Sequence, residues 1–271
     1  MAIAAERAPS SSASSPSSSP ASPSSAASVA APRRESVEQV RARRKRDVAL
    51  GYRIFAAQRW GDLGDGHISA RDPERSDCFW MLRYGVSYHA ARVGDLVLVG
   101  PDGALVEGEG PINVAAYHIH WPILAARPDV VSAAHVHTGW GTPFAAEVRP
   151  ILPITQESCI FFEDHAIFDD EEVQIQSTDG GRRIAKALGS KRAAILRNHG
   201  LLTVGDRVDE AVGSFVLLER VAEAHMKARD ARPISAEAAR YAKSDLVRYG
   251  AGRSAFGSLV ARHIGSPAVV E

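Results

Sequence analysis

The sequence predicts an α/β fold, a three-layer α/β/α sandwich with a central, mostly antiparallel sheet. Three observations point there. Short apolar runs of strand length alternate with longer stretches of helical periodicity. Their spacing lacks the regular βαβ rhythm of a doubly wound parallel sheet. No glycine-rich dinucleotide fingerprint and no phosphate-binding P-loop occurs. With 271 residues, 45% of them hydrophobic, the chain has material for a sizeable core.

Taken in order, the chain opens with residues 1–34, a tail rich in Ser, Pro and Ala. Residues 10–28 contain only those three types. Such a segment buries too little apolar surface to offset its ordering entropy, so disorder is expected. It lacks the apolar core of an export signal. Residues 35–271 are expected to form the folded domain. Ser36 and Gln39 have the spacing of a capping box, which predicts a helix start. Val48, Tyr52, Phe55 and Ala56 give that helix an apolar stripe, and Arg41, Arg43, Arg44, Lys45 and Arg46 read as a solvated face.

A loop from Gly61 to Gly66 leads into His67-Ile68-Ser69-Ala70-Arg71. Phe79–Leu82 and Asp95–Val99 read as strands, and Pro101-Asp102-Gly103 as a turn. Pro111 opens a helix expected to reach Arg127, kinked or split by Pro122. Val130–His137 reads as a buried strand. Thr178 is expected to cap a short helix carrying Ile184, Ala187 and Leu188, with Gly189 as its stop. Ala193–Leu196 and Leu201–Val204 are short strands around His199. A long amphipathic helix from Asp209 to Ala228 puts Ala211, Phe215, Leu218, Ala222 and His225 on one stripe.

Several function classes are excluded or disfavoured at this level. The 32 basic and 32 acidic residues cancel, which argues against a general nucleic-acid or anionic-membrane binder. No apolar run is long enough to span a bilayer. Cys78 and Cys159 lie far apart and form no ligand pair; they fit a reduced, cytoplasmic setting.

The chemistry concentrates in Ala134-His135-Val136-His137. Side chains alternate across a strand, so both imidazoles face one side, one pleat apart. Two such rings can share one metal ion, and His199 in Arg197-Asn198-His199-Gly200 is a third candidate. Neutral imidazole suits zinc, iron, nickel or copper. A lone strand histidine is more often structural; the paired spacing and the third histidine favour the metal site. His120, Glu157 and His165 are candidates for proton handling, each with an equally simple structural reading.

Residues from about 60 to 230 resemble the class II aldolase/adducin family. The likeness is carried by Gly66-His-Ile-Ser-Ala-Arg71, Asp95-Leu-Val-Leu-Val99, Ala125-Ala-Arg-Pro-Asp-Val130, Ala134-His-Val-His137 and Leu196-Arg-Asn-His-Gly-Leu-Leu202, with support from Asp209-Glu-Ala211 and Leu218-Glu219. The resemblance implies an α/β/α metal-binding domain, a divalent metal held by His135, His137 and His199, and a homotetramer with sites at subunit boundaries. Two departures stand out. Ala116 occupies the place of the aldolases' metal-binding, proton-moving glutamate. His67 replaces the asparagine of their phosphate-reading Gly-Asn turn, and their Ser-Gly turn is missing around Gly85-Val-Ser-Tyr88.

A sugar-phosphate aldol cleavage is therefore disfavoured. The helix Asn113…His120, Thr155-Gln-Glu-Ser-Cys159 and Asp164-His165-Ala166 resemble the adducin-like branch, and within it the small proteins of aminocoumarin antibiotic biosynthesis. That resemblance implies a metal-dependent lyase that cleaves a C–C bond of an aromatic 2-oxo or 2-hydroxy acid. It would act either as a plain decarboxylase or as a non-haem iron oxygenase using Fe(II) and O2; Zn(II) is the other metal it suggests. The alternatives are an aldolase-like lyase on another hydroxy-carbonyl compound and a non-catalytic, adducin-like interaction module.

Overall fold

A computed structural model describes residues 35–61 and 63–271; the expectation for the 1–34 tail lies outside them. Helix α1 (Val37–Ala57) begins where expected. Ser36 and Gln39 form the full capping box, each side chain bonded to the other's backbone N–H. Strands β1 (Gly66–Arg71), β2 (Phe79–Leu82), β3 (Leu96–Val99) and β4 (Leu105–Glu107) follow as an antiparallel meander. Next come α2 (Val114–Ala126), β5 (Ser132–Val136), and the short helices α3 (Gly141–Ala146) and α4 (Ser158–Phe161). The chain continues through β6 (His165–Phe168), α5 (Thr178–Leu188), β7 (Ala193–Leu196), β8 (Gly200–Gly205), α6 (Val208–Lys227), α7 (Ala236–Arg248) and α8 (Ala251–His263).

All eight strands join one sheet in the order β4-β3-β2-β1-β5-β8-β7-β6. Every neighbouring pair is antiparallel except β6–β7. The period of two along each strand divides the core. In β2, Trp80 and Leu82 pack with α1, α6 and α8, whereas Phe79 and Met81 pack with α2 and α5. Helices thus cover both faces, giving the three layers and the mostly antiparallel sheet expected from the sequence.

Helix α2 starts three residues later than Pro111, with Asn113 accepting from the Ala116 N–H as its cap. Pro122 lies inside one continuous helix instead of splitting it. A proline there has no N–H for the His118 carbonyl, and α5 packs tightly at that spot. A Cβ on Gly181 would sit 1.9 Å from the His118 oxygen, so only glycine fits. Helix α5 also differs in detail: Ser177 takes the cap position, and Ala187 is exposed while Ala185 is buried.

The basic cluster on α1 is not a solvated face. Arg41 binds Asp72 (Nε to Oδ2, 2.7 Å) and Glu74, Arg44 donates to the Arg71 carbonyl, and Lys45 lies 3.9 Å over the Trp80 ring. Arg71 closes the other end of this arrangement, donating to the carbonyls of Leu124 and Arg127 at the C-terminus of α2. These contacts anchor α1 and α2 to the far end of β1.

Asp72 is the node. Its side chain is sealed from solvent and accepts from Arg41, Trp80 Nε1 and the Glu74 and Arg75 N–H groups. Burial alone would raise its pKa, but these hydrogen bonds, led by that from Arg41, outweigh it and hold the carboxyl well below the usual range. Asp72→Ala should cost about 3 kcal/mol or more in urea unfolding, because it strands the Arg41 charge and the indole N–H. Since the native pKa is depressed, this contribution is complete above the unfolded carboxyl pKa and falls away as the pH drops through the native one.

Candidate metal centre

The sheet register builds the site. Strand β5 lies between β1 and β8, and His135 pairs with His67 on one side and Leu202 on the other. His135 and Ala133 face the α2 side; Ala134 and Val136 face α6. His137 follows just past the strand end, its N–H bonded to the Asp65 carbonyl at 3.0 Å. His199 sits in the tight connection between β7 and β8. Asn198 there has φ +54°, and Gly200 has φ +155°. A Cβ on Gly200 would press on His135 Cε1 at 3.3 Å. Asn-His-Gly is thus the chain's way of turning sharply while setting His199 against His135.

The three rings meet as the sequence suggests. Centroids are 5.2 Å apart for His135–His137, 4.8 Å for His135–His199 and 5.0 Å for His137–His199. One nitrogen from each lies within 4.8 Å of the others. His135 Nδ1 is 2.7 Å from the Leu201 carbonyl, which can only accept. Nδ1 therefore carries the proton, and Nε2 keeps its lone pair for a metal. Burial, then the neighbouring His199 and His137, push the His135 pKa well below the ordinary value. Burial, then His137, lower His199 to about 4. His135 and His199 are thus neutral at physiological pH, as binding a divalent cation requires.

Two further groups hold the centre in place. Glu219 on α6 accepts from the Thr138 hydroxyl at 2.5 Å and from the Trp140 and Gly141 N–H groups at 3.0 and 2.7 Å. It pins the loop that leaves His137, and burial raises its pKa. Asp65 Oδ2 lies 4.0 Å from His137 Nδ1, while its Oδ1 is sealed without a partner among the described residues. Sequence reasoning noted Glu219 only within a matching segment and passed over Asp65, because both act through chain folding rather than through a local motif.

The proton-handling candidates fare differently. His120 is fully buried on α2 and reaches the centre only through His67, its Nε2 lying 2.8 Å from His67 Nδ1. His165 lies on edge strand β6, away from the trio. Its Nδ1–H donates to the Phe161 carbonyl and its Nε2 accepts from the Ile151 N–H, so both nitrogens are used structurally. Glu157 precedes α4 beside Arg220 and Lys227, not beside the trio. Ala116, on α2, is buried in the core cluster that α2 shares with α5. A cavity of about 280 Å³ opens next to Gly64 and Gly66, lined by Tyr52, Leu82, Arg83, Tyr84, Tyr88 and Asn113 among others. Both cysteines are buried free thiols. Among the described residues no helix is long and apolar enough to cross a membrane.

Comparison with known proteins agrees with this geometry. Residues 46–226 match the class II aldolase and adducin N-terminal domain. The chain is 40% identical over 197 residues to a 4-hydroxy-3-prenylphenylpyruvate oxygenase/4-hydroxy-3-prenylbenzoate synthase of Streptomyces roseochromogenus subsp. oscitans, covering 71% of each chain. It is 42% identical over 173 residues to the decarboxylase NovR of Streptomyces niveus, covering 63% of this chain and 64% of that one. Among solved structures, an L-fuculose 1-phosphate aldolase from Glaciozyma antarctica superposes with a TM-score of 0.75 at 33% identity, over 85% of this chain and 93% of that one.

Replacing His137 or His199 by Ala should leave the fold intact and abolish stoichiometric metal retention, read by elemental analysis after gel filtration. The metal-free protein should lose stability on acidification from about pH 6.5, the ordinary histidine pKa, down to about 4 and 3, where His199 and His120 titrate. The unfolded chain binds those protons first, so unfolding midpoints should fall across that window.

Proposed function

The chain belongs to the class II aldolase and adducin family and is an enzyme; from that premise we propose that it is a metal-dependent decarboxylase acting on an aromatic 2-oxo or 2-hydroxy acid. The observation that carries this is the donor set. Three imidazoles converge, and the α2 position that would supply a carboxylate holds the buried methyl of Ala116. The full charge of a divalent cation is then left for a chelating anion, which a 2-oxo or 2-hydroxy carboxylate provides. When bound, the metal supplies Lewis-acid polarisation of that acid and, as Fe(II), a site for O2 activation.

The chain's own groups do the rest. His135, His137 and His199 would hold the ion. Leu201 fixes the His135 tautomer and Glu219 fixes the loop after His137. The nearby cavity offers tyrosine rings for an aromatic body, with Arg83 and Asn113 as polar groups. The oxygenase/synthase and decarboxylase names of the two Streptomyces relatives support the reaction class; the proposal adds a place in aminocoumarin-type antibiotic biosynthesis. The proposal includes Fe(II) or Zn(II) as the metal, a homotetramer and a cytoplasmic setting. Aldol cleavage of a sugar phosphate is the weaker reading, since Ala116 moves no proton.

Protein loaded with Fe(II) or Zn(II) and given 4-hydroxyphenylpyruvate or 4-hydroxymandelate, in air and under nitrogen, decides the matter. The expected result is CO2 release that needs the metal, with matching O2 uptake in the Fe(II) sample. Equal turnover by metal-free protein, or cleavage of L-fuculose 1-phosphate with no CO2 from either acid, contradicts it.

A further inference from the structure

Behind the three ligands runs a hydrogen-bonded chain that the metal-binding role does not use. His67 Nδ1 lies 2.8 Å from His120 Nε2, and His120 Nδ1 lies 2.7 Å from Ser69 Oγ. All three residues are buried. Neither ring has a carboxylate within hydrogen-bond reach among the described residues, and an unpaired buried charge is costly, so both rings are neutral.

Two neutral imidazoles and a hydroxyl can share their protons in two ways. In one, His67 donates to His120, and His120 donates to Ser69. The Ser69 hydroxyl proton must then find another acceptor, and Ser69 Oγ has none among the described residues. A sealed hydroxyl with no acceptor is costly. In the other, Ser69 donates to His120 Nδ1, and His120 Nε2–H donates to His67 Nδ1. Every buried proton is then used, and the one remaining N–H is His67 Nε2–H.

That nitrogen has no partner among the described residues and is not among their sealed polar atoms that lack one. The His67 ring lies directly across from His135 in the β1–β5 pairing, with centroids 4.9 Å apart. We propose that His67 is a neutral hydrogen-bond donor of the metal centre: Ser69 and His120 fix its tautomer so that Nε2–H meets an anionic oxygen of the chelated acid. A donor held this way stabilises charge on that oxygen without itself changing charge. This rests on the metal-dependent reading above, and its test separates the two.

Long-range 1H–15N correlation spectra of the metal-free protein report the tautomers directly. Both His67 and His120 should carry their proton on Nε2; a proton on Nδ1 of either ring overturns the proposal. Oxalate titrated into the zinc-loaded protein then reads the contact. His67→Leu should keep its zinc and bind oxalate about tenfold or more weakly, the worth of one hydrogen bond to a charged group. His67→Asn, which retains an N–H donor, should recover most of the loss. Unchanged oxalate affinity in zinc-bearing His67→Leu also overturns the proposal. Oxalate binding by the wild type that is indifferent to zinc contradicts the metal-dependent reading instead, while the tautomers still decide His67.

Discussion

The hydrogen bond from His135 Nδ1–H to the Leu201 carbonyl is the constraint on which the centre depends. It spans β5 and β8, so one contact selects the tautomer of a ligand and reports the register of the sheet. A one-residue slip would turn His135 to the α6 face, into a core built of Val, Leu and Phe side chains. The same register sets His67 opposite His135 and brings the β7–β8 connection, with His199, onto the ligand side. The candidate metal donors are therefore brought together by strand pairing in the middle of the sheet. The helices serve as clamps: α6 through Glu219, α2 through His120.

The site combines polar groups in an unusual balance. It gathers neutral nitrogen donors and keeps carboxylates at a distance; Asp65 stands 4.0 Å off, and Ala116 has no polar atom. Burying unpaired imidazoles is unfavourable for the metal-free chain, because the protonated forms are excluded. A bound cation and a chelating anion would relieve that imbalance together. On the proposed reading, charge that an aldolase-type site would neutralise with its own carboxylate would be left for the substrate to neutralise.

Much of this was legible from local pattern. Period-two spacing placed His135 and His137 on one face, the Ser36–Gln39 capping box marked the start of α1, and every residue of the α6 stripe is buried. What escaped was long-range. The basic cluster of α1 read as solvated because its partners, Asp72, Glu74 and Trp80, lie about thirty residues away. Strand β4 is an edge whose three residues are all exposed, so it shows no alternation. Helices α7 and α8 bury few side chains, so little in them marks a core-facing side. His165 drew attention as a possible acid or base because nothing local reveals that Ile151 and Phe161 occupy both its nitrogens. His67 was visible as a substitution in a turn, but its link to His120 and Ser69 exists only once α2 lies over β1.

X-ray absorption at the metal edge of the loaded wild-type protein tests the central claim most directly. The account predicts three imidazole nitrogens at about 2.0–2.1 Å, with the remaining shell made of oxygen donors that change when oxalate is added. A shell containing sulfur, or fewer than three imidazoles, would contradict it.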